Sequence, residues 1–106
     1  MLYVVFVAVD NDSNDAWFRW MRDDHIPDVL ATGCFGDATI VRDAESDTEH
    51  ETAYRILYRA HSEAAFERYQ REFGPALRDD HVARFGSVTR ASRELLPILL
   101  RRDGPS

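Results

Sequence analysis

The run Leu2-Tyr3-Val4-Val5-Phe6-Val7-Ala8-Val9 constrains the fold more than any other part of this chain. It is β-branched and aromatic, so it favours an extended backbone. It is also apolar at odd and even positions alike, so both of its faces need cover. A strand of this kind belongs in the middle of a sheet, and the remaining elements must build the sheet's other strands and its covering layers.

The rest of the chain alternates periods. Asp10 to Asp15 reads as a turn supplying helix-capping oxygens, from Ser13 or Asn14. A helix is expected from about Asp15 to His25, with Trp17, Trp20, Met21 and Asp24 on one face. Pro27 is expected to break or restart it. Asp28 to Ala31 adds one more turn, and Gly33 can end it in a left-handed conformation. Cys34 to Arg42 reads as a strand with Phe35, Asp37, Thr39 and Val41 on one face and Ala38 and Ile40 on the other. After an acidic loop, Asp43 to Glu51, comes a strand over Thr52 to Ala60 with Tyr54, Ile56 and Tyr58 on one face. Ser62 caps a second helix carrying Ala65, Phe66, Tyr69 and Phe73. Pro75 opens a shorter helix that reaches Phe85 with Leu77, His81 and Phe85 together. A fourth strand lies between Ser87 and Leu100, broken at Pro97. Arg101 to Ser106 reads as a loose tail, leaving one domain over 1–100.

Strand, helix, strand, strand, helix, strand is the α+β, ferredoxin-like split βαβ arrangement: a four-stranded antiparallel sheet with helices on one face. Two helices cover one side of such a sheet. A second copy covering the other gives a homodimeric α/β barrel joined through the open sheet face, the reading favoured over a monomer with an exposed apolar sheet.

Composition narrows the function classes. The 106 residues fit a single domain, with 44% hydrophobic and 30% charged residues. A net charge of −6 with no basic stripe argues against a nucleic-acid partner. The apolar run at the start is too short to cross a membrane and lacks a signal-peptide pattern. With Cys34 the single cysteine, no intrachain disulfide framework exists, and the cytoplasm is the expected compartment.

The segment Trp17-x-x-Trp20-Met21-x-x-x-His25-Ile26-Pro27-Asp28-Val29-Leu30-Ala31-Thr32-Gly33 resembles the signature of a family of short bacterial proteins, domain of unknown function family 4286. Tyr69 to Phe85, with Pro75-Ala76-Leu77-Arg78, His81 and Arg84-Phe85, resembles its second half. The resemblance runs from Tyr3 to about Leu99. It implies a layout similar to the dimeric α/β-barrel group, which includes cofactor-free oxygenases, isomerases and decyclases and some haem enzymes. It implies no catalytic residue for this chain.

The unusual chemistry is paired acids beside a histidine, Asp23-Asp24-His25, echoed by Asp79-Asp80-His81. His25 is a candidate general base, with Asp24 or Asp28 raising its basicity; the bland reading is a helix-terminal histidine bonded to backbone. Tyr54 and Tyr58 are candidate proton donors lining a sheet-facing cavity that His25 reaches from the rim, and Tyr58 is placed in the dimer face. Trp17, Met21 and His81 are candidate ligand contacts, against the plainer reading of core aromatics and a partly buried histidine. The fold argues against a shared Asp-Asp-His metal site within one chain, since antiparallel helices would set the two echoes about 15 Å apart, a ten-residue helix length; a site shared across a dimer stays open. Asp10-x-Asp12-x-Asn14 lacks the glycine and bidentate glutamate of a calcium loop. Cys34 has no neighbouring base, and no glycine-rich phosphate loop is present. No cofactor or metal is expected. Three functions stay open: a binding or accessory protein, a cofactor-independent enzyme acting on a small organic molecule, or a structural interaction module.

Overall fold

The computed structural model describes residues 1–105. The order is β1 (Leu2–Asp10), α1 (Asn14–Trp20), α2 (Ile26–Ala31), β2 (Phe35–Arg42), β3 (Glu51–Ala60), α3 (Glu63–Glu72), α4 (Gly74–Phe85) and β4 (Thr89–Leu96). The four strands form one antiparallel sheet in the order β2-β3-β1-β4, with β1 inside it. The chain has the expected ferredoxin-like fold, with its helices on one face of the sheet.

Register separates the faces. Tyr3, Val5 and Val7 stand opposite Tyr58, Ile56 and Tyr54 of β3 and join the core beneath the helices. Val4, Phe6 and Ala8 stand opposite Leu57, Arg55 and Ala53 on the other side. Tyr58 therefore faces the helix layer and not the open sheet face, which corrects its expected place in a sheet-to-sheet interface. The aromatic pattern of β3 gives the right alternation, but alternation alone does not say which side the helices take.

Phe35 also departs from expectation. The β2–β3 register shifts between Phe35 and Asp37, so Phe35 pairs with Ala60 and packs in the core with Tyr58 and Tyr69. A bulge at Gly36 adds one residue and turns Phe35 inward, to the side of Ala38 and Ile40. A Cβ at Gly36 would lie 2.6 Å from the Arg59 guanidinium, which pairs with Asp37.

Pro27 does not break the first helix but sits in the first turn of α2, where α-helical geometry restarts. Residues 21–25 form a wide π turn in which Ile26 N–H donates to Met21 O, and the helix continues into α2. Proline has no N–H, and its ring would press on the carbonyl four residues back; widening the preceding turn accommodates both. Neither Ser13 nor Asn14 makes a capping bond; Asn14 Oδ1 instead accepts from the Tyr54 hydroxyl at 2.5 Å. Ser62 does cap α3, accepting from Ala65 N–H at 3.0 Å.

Gly33 ends α2 with φ +78°, its N–H donating to Leu30 O at 3.1 Å. An added Cβ would meet nothing within 4 Å, so Gly33→Ala isolates the backbone term. It should lower stability by about 1–2 kcal/mol in chemical denaturation, with an unchanged fold.

Candidate functional site

The two Asp-Asp-His echoes meet through their histidines. His25 and His81 rings lie 6.0 Å apart edge-on, not a helix length apart. The expected separation holds for equivalent ends of paired helices. The second echo sits instead on α4, beyond the break at Gly74-Pro75, and α4 returns the chain to the π turn. The acids do not follow. Asp24 is exposed, Asp23 pairs with Arg22 at 2.7 Å, and Asp80 pairs with Arg84 at 3.2 Å. Among the described residues no three His, Cys, Asp or Glu side chains converge as a metal site requires.

The π turn sets His25. Five residues of α-helix turn through about 500°, leaving side chains about 140° apart around the axis. A π turn brings residues five apart onto one face. Trp20 and His25 are such a pair, with ring centroids 4.9 Å apart. Trp20 also packs against His81 at 5.8 Å and Phe85 at 5.4 Å.

Trp17 sets His81. It is wholly buried, and its indole N–H donates to His81 Nε2 at 3.0 Å. Indole only donates, so His81 Nε2 accepts and the neutral ring carries its proton on Nδ1. Burial, followed by the Arg93 charge, holds His81 below its ordinary imidazole range. Burial also pushes His25 down to about 4, with the His81 charge adding to the effect and Asp80 and Asp28 opposing it more weakly. Both rings are neutral at pH 7. The expected help from Asp28 is present but outweighed, and Asp24 takes no part. His25 Nδ1 is buried and has no hydrogen-bond partner among the described residues.

These rings border a cavity of about 30 Å³ between the helices and the sheet. Met21, His25, Tyr58 and His81 line it with Tyr3, Tyr69, Arg78 and Arg93. Burial raises the Tyr58 phenol well above its ordinary range and pushes Tyr69 up to about 12, so both are protonated hydroxyls at neutral pH. Tyr54 lies elsewhere: its ring packs on Trp17 at 4.9 Å and borders a separate surface groove with Phe18 and Arg42. The cavity thus joins His25 to Tyr58 but not to Tyr54, and it lies under the helices rather than on the open sheet face. Sequence reasoning did not find Tyr3, Tyr69, Arg78 or Arg93. Arg93 follows Thr89 and Ala91 at the two-residue period of β4, but only the pairing of Arg93 with Val5 aims it at the helix side.

The solved structures similar to this one share its fold at low sequence identity. HapK from Hahella chejuensis is 12% identical and matches over 98% of this chain and all of its own, with a TM-score of 0.63. A dimeric ferredoxin-like protein from an uncultured marine organism is 11% identical over 98% of this chain and all of its own, TM-score 0.62. SnoaB of Streptomyces nogalater, a cofactor-independent oxygenase, is 13% identical over 94% of each chain, TM-score 0.60. No curated protein matches the sequence. No helix among the described residues is long and apolar enough to cross a membrane.

The histidine geometry makes stability depend on pH. His25 has a folded value of about 4 against an ordinary 6.5, so the unfolded chain binds more protons between them. Stability should be full above about pH 6.5 and fall as pH drops through about 4, by up to about 3 kcal/mol for a shift of this size. His25→Gln should flatten that slope in urea unfolding series across pH. Trp17→Phe, which removes the bond to His81 and part of a buried ring, should lower stability by about 1–3 kcal/mol at pH 7.

A domain of unknown function, DUF4286, matches residues 1–99, and the chain belongs to that family.

Proposed function

We propose that this protein is a homodimer that binds a small organic molecule in the cavity between sheet and helices, with His25 as a hydrogen-bond partner. The observation that carries the reading is His25 Nδ1, buried, neutral at pH 7 and without a partner. A buried polar atom in that state costs roughly 1–3 kcal/mol, which a hydrogen-bonding group on a ligand would remove. Tyr58, Tyr69 and His81 supply donors around the same space, while Met21, Val7 and Tyr3 supply apolar surface; Trp17, expected as a ligand contact, lies outside this lining and acts through its bond to His81. A purely structural module has no use for such a lining. The lone free Cys34, buried at the start of β2, supports a reducing, cytoplasmic setting.

The open sheet face supports the dimer. Phe6, Leu57 and Val41 lie on it, with Arg55 over the Phe6 ring at 5.4 Å. Charged residues rim the apolar centre, as at protein interfaces. A similarly folded protein is described as dimeric.

A catalytic reading is second, favoured by the contact of a neutral imidazole with the cavity and by the shared fold of a cofactor-independent oxygenase. In it His25 would take a proton from the substrate while Tyr58 donates one. A base whose conjugate acid titrates near 4 is weak at neutral pH, so binding ranks ahead of turnover.

Native mass spectrometry after incubation with a metabolite extract should show a dimer of the 12.2 kDa chain carrying a small-molecule mass. His25→Phe should lose that mass and remain dimeric. A bare dimer under every condition would remove the binding reading. Phe6→Arg combined with Leu57→Glu should give a monomer by sedimentation with near-normal circular dichroism; persistence of the dimer would place its interface elsewhere.

A further inference from the structure

We propose that the molecule taken by this cavity is an organic anion, a carboxylate on a larger organic body, gripped by Arg78 and Arg93. The inference rests on the binding reading above and adds the chemical class of the ligand.

The first observation is a charge imbalance. The chain has 19 acidic residues against 13 basic ones, all arginine, yet no acidic side chain lines the cavity. Nine of the arginines sit in ion pairs among the described residues. Of the four that do not, Arg19, Arg78, Arg93 and Arg102, two line this one cavity. In an acid-rich chain, two like charges lining one cavity without a carboxylate within 4 Å leave a positive field for a ligand to neutralise.

The second observation is where the charges act. Arg93 acts electrostatically on His25, His81, Tyr58 and Tyr69 together, so its guanidinium serves the whole polar lining. Arg78 approaches from α4, on the opposite wall. Its Nη1 would lie 3.2 Å from a Cβ at Gly74, a position that also abuts the Tyr69 ring. Absence of a side chain at Gly74 gives that guanidinium its place. Planar guanidinium forks match carboxylate oxygens in pairs, and tyrosine hydroxyls can add donors to the same anion.

Size gives the third. The enclosed space, about 30 Å³, holds about two water-sized groups, enough for an anionic head and no more. It shares His81, Ala91 and Arg93 with an open groove of about 500 Å³ between α4 and β4. Ala91 and Arg93 are exposed there, because the helices leave the β4 edge uncovered. The head enters the cavity and the body lies in the groove.

Matched probes test this. Benzoate and benzamide share shape and differ in charge. Each is titrated into the full chain while the His25 and His81 ring nitrogens are followed by NMR. Benzoate should bind at least about ten-fold more tightly than benzamide, with both histidine rings shifting. Arg78→Gln and Arg93→Gln should each weaken benzoate about ten-fold and leave benzamide within about two-fold. Arg93→Lys, which keeps charge but loses the fork, should fall between. Arg102→Gln, in the tail, should change nothing. Melting temperatures confirm that each variant folds. Equal affinity for both probes, or benzoate binding without histidine shifts, overturns the anion and leaves the binding reading standing. Failure of both probes to bind overturns the two readings together.

Discussion

The bond from the Trp17 indole to His81 Nε2 organises everything around the cavity. It joins residues 64 apart in the chain and ties the first helical stretch to α4 in the buried layer. A buried donor and acceptor that satisfy each other cost little, but either alone is expensive, so α1 and α4 cannot shift independently. The same bond selects the His81 tautomer. His81 thereby presents an N–H from its other nitrogen, while His25 presents an unpartnered polar nitrogen nearby. Two polar nitrogens held on neighbouring rings make a recognition surface that neither histidine forms alone.

Burial decides the electrostatics of that surface. For His25 the loss of water outweighs the pull of Asp28 and Asp80, and the ring stays neutral far below its ordinary range. The phenols of Tyr58 and Tyr69 move the opposite way for the same reason, since burial disfavours whichever form is charged. The cavity therefore carries uncharged hydrogen-bonding groups over a wide pH range, with its fixed charges confined to Arg78 and Arg93. Such a lining discriminates by hydrogen bonding and by the sign of the ligand's charge, and does so without a strong base.

Much of the architecture was legible because local rules and the global fold agree. The doubly apolar β1 could only be an inner strand, the period changes marked the βαββαβ order, Gly33 supplied a left-handed helix end and Ser62 a cap. Two of the misreadings lie where a one-residue irregularity changes phase. The π turn carries the helix through Pro27 and brings His25 beneath Trp20; the bulge at Gly36 turns Phe35 inward. Both insert a residue into a regular period, and a period read from sequence has no means of registering the insertion.

By itself the sequence determined the element order, the burial of β1 and the residue types available for chemistry, because propensity and periodicity act over a few neighbours. Tertiary structure alone decided which face of the sheet the helices cover, that His25 and His81 meet while Asp23 and Asp80 pair with arginines, and that Arg93 joins them from β4. Those outcomes depend on contacts between residues tens of positions apart. The sequence holds the histidine echo in plain view; the return of α4 beside the π turn makes it a site.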